Sequence, residues 1–432
     1  MGRPRGHYAS LLQEFSVPLL AGVAVALLFA NTYPHLYHEI LEWEPIRGFQ
    51  VFGYPVTFHF LVDDIFMVFF FAIAAKEITE AALPGGLLNP ISKAVSPLIA
   101  TLGGVLGPVA IFFLCIAFSF ENGIYSAEFD DRGQLSRGWG IPTATDIALA
   151  WLVARAVFGK GHPAVLFLLL LAVVDDAIGL VIIAVYYGDP MQPAEPVWLL
   201  LSLSGMAVAF VLRRAGVTHW QAYVALGGPL AWSGLVLAHL HPALALAVIV
   251  PFIPGPARDV GFFASGDEVD EVGEERAERL HLEHSPLHLF EHQMKAFVDF
   301  GLFFFAFANA GVEFANVGAM TWIVLGSLVV GKTIGVTLFG WLASLMGFAL
   351  PGGMTRVDLC MAGFIAALGL TVALFVATAA YVEPGLQGQA KMGALLSGVV
   401  GLVAVPLARL LGIRRGGQEE SRSDSDLETS RD

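Results

Sequence analysis

Two adjacent aspartates, Asp175 and Asp176, stand in the run LLLLAVVDDAIGLVII from Leu168 to Ile183, which is otherwise oily enough to lie in lipid. Insertion scales put one Asp at a helix centre at about 2.5 to 3.5 kcal/mol, so two of them require partners, water or a bound ion. Neighbours on a helix point about 100° apart, so one carboxylate can face a cavity while the other meets a second partner. The bland alternative, a pair of solvated helix-end residues, sits badly with the apolar residues that flank them on both sides.

Two more ionisable residues share this setting. Asp146 lies in GWGIPTATDIALAWLVARAVFG, from Gly138, and Lys332 lies near the centre of LGSLVVGKTIGVTLFGW, too deep to snorkel easily. A buried lysine wants a carboxylate, and either Asp175 or Asp146 is of the right kind. The bland readings are an N-cap for Asp146 and a purely structural ion pair for Lys332. Together Asp146, Asp175 and Asp176, with one lysine and a broken backbone, make a site for a small hard cation that competes with protons for the same oxygens. Exchange follows if such a site opens alternately to the two sides.

The elements that must position these residues are membrane helices. More than half of the 432 residues are apolar and the mean hydropathy is +0.71. Apolar runs of about 20 residues, long enough to cross a bilayer, recur from Phe15 to Leu411. They predict an all-α polytopic protein with twelve spans, centred near Val23, Phe70, Gly104, Leu149, Ala177, Met206, Leu230, Ile249, Phe305, Gly331, Leu368 and Val400. The alternation of a membrane barrel is lacking. The opening MGRPRGHY leads straight into further spans without a convincing cleavage site, so residues 1–14 read as a cytoplasmic N-terminus and the next run as the first helix.

Lysine and arginine are distributed unevenly. With the N-terminus inside, one side holds Arg3, Arg5, Lys76, Lys93, Arg155, Lys160, Arg213, Arg214, Arg258, Arg276, Arg279, Lys295, Arg356, Arg409, Arg414, Arg415, Arg422 and Arg431; the other holds Arg47, Arg132, Arg137 and Lys391. That bias places both termini in the cytoplasm and leaves Lys332 alone inside a span. The net charge of −14 comes largely from the stretch Gly266 to Glu291 and from the tail EESRSDSDLETSRD, within 413–432, which reads as disordered. Neither suggests nucleic-acid binding. Cys115 and Cys360 have no metal-ligand spacing and read as small apolar residues.

Two spans are interrupted. The one from Gly138 carries Gly140, Pro142 and two threonines, and MAGFIAALGLTVALFVATAAY, from Met361, carries Gly363, Gly369 and Thr371. Broken helices at membrane depth are tolerated only where the freed backbone groups line a cavity or meet protein partners. Each is the middle of a three-span group, about 94–187 and about 320–412, and an odd number of crossings inverts the second group. The expectation is an inverted repeat within a transmembrane domain spanning 15–412, its two discontinuous helices crossing at the midplane.

Four segments, GWGIPTATDIALA, VVDDAIGLVIIA, FFFAFANAGV and LVVGKTIG, resemble in order the diagnostic segments of the NhaA-type sodium/proton antiporters, with weaker likeness up to Leu411. The resemblance implies an electrogenic exchanger that exports sodium or lithium for protons, serves pH homeostasis from a bacterial inner membrane, and needs no cofactor. It implies that Asp176 is the direct sodium ligand and Asp175 the partner of Lys332, with Asp146 and Thr145 at the crossing of the broken helices. It also implies activation by alkaline cytoplasmic pH, with Asp64, Glu77, His241 and Glu291 at positions matching the family's accessory residues. Its partners are then sodium, protons, membrane lipid and a second copy, through the hairpin predicted at GFQVFGYPVTFHF, from Gly48.

Some positions depart from that pattern. Asp63 stands where Asn is usual and Ile65 where a small residue is usual, while Thr79 and Glu80 replace basic residues after Glu77. Pro242 follows His241, and Asp299 falls where the family tends to be apolar. Asp63 and Asp64 read as caps of their helix at the outer surface. His281, His284, His288 and His292 form a near-helical stripe that Pro286 interrupts, which favours a solvated face over a metal site.

Two other classes remain to be weighed. An intramembrane aspartyl protease needs one acid from each of two facing helices, whereas here the acids adjoin and a lysine is present. A sodium-coupled solute symporter of the same architecture would need a roomy polar cavity for its solute.

Overall fold

A computed structural model describes residues 17–83, 86–88, 91–125, 132–159, 161–188, 193–255 and 285–413. Several expectations lie outside the described residues: the N-terminal segment 1–14, most of the acidic stretch from Gly266, His281 and His284, and the tail from 414. Arg3, Arg5, Lys160, Arg258, Arg276, Arg279, Arg414, Arg415, Arg422, Arg431 and the side chains of Lys93 and Arg132 lie outside them too.

The apolar runs form helices: α1 (Val17–Thr32), α2 (Phe58–Ala82), α3 (Ala94–Glu121), α4 (Ile147–Phe158), α5 (Pro163–Tyr186), α6 (Pro196–Arg214) and α7 (Trp220–Leu237). Then follow α8 (Pro286–Asn309), α9 (Ala319–Leu345), α10 (Arg356–Ile365), α11 (Thr371–Ala380) and α12 (Pro384–Leu410). Among the described residues six of these, α2, α3, α5, α6, α9 and α12, are long and apolar enough to cross a membrane. A bent pair, Gly133–Thr143 with α4, turns by 48° at its break and makes a seventh if taken as one span. Exposed apolar residues such as Leu200, Val211, Leu345 and Leu402 cover their outer faces, as lipid contact requires.

The count of twelve is therefore not reproduced by length and apolarity, for local reasons. The run around Ile249 is no helix: Pro242–Leu244 and Val250–Phe252 are single 3-10 turns, because Pro242, Pro251 and Pro254 each remove a donor. The helix α8 is long but carries Glu291, Lys295 and Asp299, and α1 and α11 are short.

Two helices hold π-helical turns, at Leu61–Phe66 in α2 and at Ser327–Gly331 in α9, immediately before Lys332. Asp63 and Asp64 fall inside the first, so they are not caps; Thr57 caps the helix, its Oγ1 accepting from the Phe60 N–H at 3.1 Å. The predicted hairpin forms, with β1 (Gln50–Val51) antiparallel to β2 (Tyr54–Pro55), Gln50 opposite Pro55 and Val51 opposite Tyr54. Phe52 and Gly53 both take positive φ, 51° and 88°, as a two-residue turn matched to strand twist requires.

The chain divides into two units. The first comprises Met1–Ala94, Asp176–Asn316 and Thr378–Pro384; the second comprises Val95–Asp175, Val317–Ala377 and Gly385–Asp432. In the first, α1 packs on α8 and α6 on α7, and the Tyr37 hydroxyl donates to the Phe307 carbonyl at 2.7 Å. In the second, α3 meets α9 through two small-residue ridges, Gly103 with Gly107 and Gly331 with Gly335. A Cβ at Gly335 would lie 2.0 Å from the Gly103 carbonyl oxygen, so only glycine allows this approach.

Candidate functional site

Both helix breaks lie in the second unit and are hydrogen-bonded to each other. Arg137–Thr143 is a 3-10 segment ended by extended Ala144, and the chain resumes as helix at Ile147, with Asp146 as its N-cap. The other break separates α10 from α11 at residues 366–370. The Asp146 N–H donates to the Leu368 carbonyl at 2.6 Å, and Thr145 Oγ1 lies 2.9 Å from the Ala366 carbonyl oxygen. Breaking a helix exposes backbone groups, and here each break supplies partners to the other.

Asp146 serves two helix ends. Its Oδ1 accepts from the Leu149 N–H at 3.1 Å, at the start of α4. Its Oδ2 accepts from the Thr371 hydroxyl at 3.0 Å and the Thr371 N–H at 3.3 Å, at the start of α11. Asp146 is thus the cap of its own half-helix and of the facing one.

Lys332 points at Asp175, not at Asp146. Its Nζ lies 2.5 Å from Asp175 Oδ2 and 2.5 Å from Thr145 Oγ1, and Thr145 Oγ1 lies 2.7 Å from Asp175 Oδ2. Both members of the ion pair are 0% exposed. The other oxygen, Asp175 Oδ1, is buried and meets no hydrogen-bond donor among the described residues. Burying a pair like this is costly unless it is hydrogen-bonded, and Thr145 Oγ1 accepts from the ammonium while its single O–H faces both Asp175 Oδ2 and the Ala366 carbonyl. Asp176, next along α5, is also buried but belongs to the first unit. So Asp146, Thr145, Asp175 and Lys332 form one cluster.

The accessory residues lie in the first unit. Glu291 is bonded to Lys76, which also pairs with Glu80 at 2.6 Å, while Lys295 lies 3.9 Å from Glu291. Glu77 is half-buried beside this group. The Asp64 carbonyl accepts from Trp232 Nε1 at 2.8 Å, and His241 opens the 3-10 turn Pro242–Leu244. Lys76 and Lys391, assigned from sequence to opposite sides of the membrane, are both buried. The Lys76–Glu80 pair was visible as opposite charges one turn apart in an apolar span. Among the described residues no group of three or more His, Cys, Asp or Glu side chains is disposed to hold a metal ion.

The profile of the Na+/H+ antiporter 1 family matches residues 11–407. A Na(+)/H(+) antiporter NhaA of Geobacter sulfurreducens is 54% identical over 406 residues, covering 94% of this chain and 98% of that protein. One of Desulfitobacterium hafniense is 53% identical, covering 94% and 96%, and one of a Jannaschia species is 40% identical, covering 94% and 98%. Among solved structures, the sodium proton antiporter MjNhaP1 of Methanocaldococcus jannaschii superposes with a TM-score of 0.52 over 91% of each chain at 14% identity, a likeness of fold. With matched segments running through both helix breaks, the paired aspartates and the buried lysine, the chain belongs to the Na+/H+ antiporter 1 family.

Proposed function

We propose that this chain exchanges sodium or lithium for protons across a bacterial inner membrane, with Asp175, Asp176 and Lys332 as the working residues and Asp146 and Thr145 as the groups that shape their site. The observation that carries the reading is the Lys332–Asp175 pair, fully buried beside two hydrogen-bonded helix breaks. With the ammonium on Asp175, the carboxylate is engaged and a cation is disfavoured. A cation taken by the aspartates displaces the ammonium, and a displaced buried ammonium is costly, so its proton leaves. Cation in and proton out at one site, opened alternately to each side, is antiport.

The finer elements of this reading are twelve crossings arranged as inverted repeats, both termini in the cytoplasm and a homodimer joined through the hairpin. Electrogenic stoichiometry and pH control involving Asp64, Glu77, His241 and Glu291 complete it. They are supported by the resemblance of motifs, by the Lys and Arg bias and by the names of the relatives.

The test uses vesicles with an acidic interior. Sodium or lithium collapses the gradient, potassium does not, and no solute is required, which separates exchange from symport. Asp176→Asn abolishes the response, because a neutral amide cannot trade a proton for a cation. Full activity in that variant refutes the site.

A further inference from the structure

The segment FFFAFANAGV ends α8 with Asn309, which is 1% exposed and has no place in the cation site described above. Its side chain is fully engaged. Nδ2 donates to Asp63 Oδ1 at 2.7 Å and to the Phe305 carbonyl at 3.3 Å, and Oδ1 accepts from the Thr378 hydroxyl at 2.9 Å. The amide has no freedom to turn over: an ionised carboxylate only accepts, so the NH2 must face Asp63 and the carbonyl must face Thr378. Asp63 in turn is set by the π turn Leu61–Phe66, which buries it to 5% exposure, and its Oδ2 lies 3.4 Å from His59 Nε2.

Thr378 belongs to α11, and Thr371, two turns earlier on the same helix, is the residue that donates to Asp146. Seven residues of helix span about 10 Å and behave as a stiff rod, so a displacement at Thr378 is carried to Thr371. We propose that Asn309 is a positioning residue of the exchanger, tying Asp63 to Thr378 and so holding the half-helix α11 where its first residue meets Asp146. This inference rests on the exchange reading above. A purely structural Asn309 would lower stability when altered and leave the sodium dependence of transport where it was.

The polarity of the hydrogen-bond chain supplies the test. Four variants of the full chain, Asn309→Asp, Asp63→Asn, the double variant carrying both, and Thr378→Val, are compared with wild type in vesicles for the sodium KM of proton movement, with a melt of each. Asn309→Asp sets two carboxylates against one another and raises KM about tenfold, the scale of one buried hydrogen bond. Asp63→Asn still offers an acceptor to Asn309 and shifts KM by less than about threefold. The double variant restores the chain with its roles exchanged, because the carboxylate now at 309 accepts from the amide at 63 and from Thr378; KM returns to within about threefold of wild type. Thr378→Val, which cannot donate to Asn309, also raises KM. A wild-type chain that moves no protons on sodium addition refutes the exchange reading and this role with it. A working wild type overturns this role alone if Asn309→Asp leaves KM unchanged, changes only the melt, or is not rescued in the double variant.

Discussion

Removing one member of the Lys332–Asp175 pair should cost more than removing both. Lys332→Gln leaves Asp175 with the Thr145 hydroxyl as its remaining hydrogen-bond donor in this cluster, its other oxygen already without one. Asp175→Asn leaves a buried ammonium facing a neutral amide and one hydroxyl. Both side chains are 0% exposed, so no solvent screens the stranded charge. Breaking a buried pair from one side costs about 3–5 kcal/mol, which makes the sum of the two single changes about 6–10 kcal/mol. The double variant buries no charge there, and its two amides can bond to each other, so its loss falls short of that sum by at least about 2 kcal/mol. Melts of detergent-solubilised wild type, the two single variants and the double variant, at one scan rate, report the coupling. Additive losses, or a Lys332→Gln protein that melts with wild type, would refute the pair as an energetic unit.

Thr371→Val removes the hydroxyl that Asp146 accepts from and should cost about 1 kcal/mol, as loss of a capping bond does, with a raised sodium KM in the vesicle assay. Gly335→Ala drives a methyl group to 2.0 Å from the Gly103 carbonyl oxygen and should lower the melting temperature sharply. Gly326→Ala, on the same helix with nothing within 4 Å, should leave it unchanged or raise it. If proton and cation compete for the same carboxylates, the pH profile of exchange is bell-shaped and moves toward acid as sodium rises; a profile indifferent to sodium would place pH control in a separate sensor.

The chemistry was legible wherever it broke a membrane rule. Two aspartates and a lysine in apolar runs, and Gly, Pro and Thr clustered in GWGIPTATD, are anomalies that need no second segment to be noticed. The residues alone left Asp175 and Asp146 both open as partner of Lys332; the family resemblance implied Asp175, and the hydrogen bonds place Lys332 on it. The Asn309 clamp was hidden, because Asp63 reads as a cap near a helix start, and its partner lies 246 residues away. Lys76 stands near the end of α2, where a lysine normally reaches for the interface, yet it is buried between Glu80 and Glu291. The π turns left no trace in composition. The run around Ile249 has the hydropathy of a span but is bounded by Pro242, Pro251 and Pro254 and forms short 3-10 turns.

The double cap at Asp146 has an electrostatic consequence. Each helix N-terminus carries about half a positive charge, and two of them, those of α4 and α11, end on this one carboxylate. One negative charge against two halves leaves the junction close to neutral before any cation arrives. In the exchange reading proposed above, Asp146 then acts by cancelling a field at the two helix ends. An amide in its place would leave about one net positive charge at the crossing of the chain, a field that would disfavour any cation held nearby.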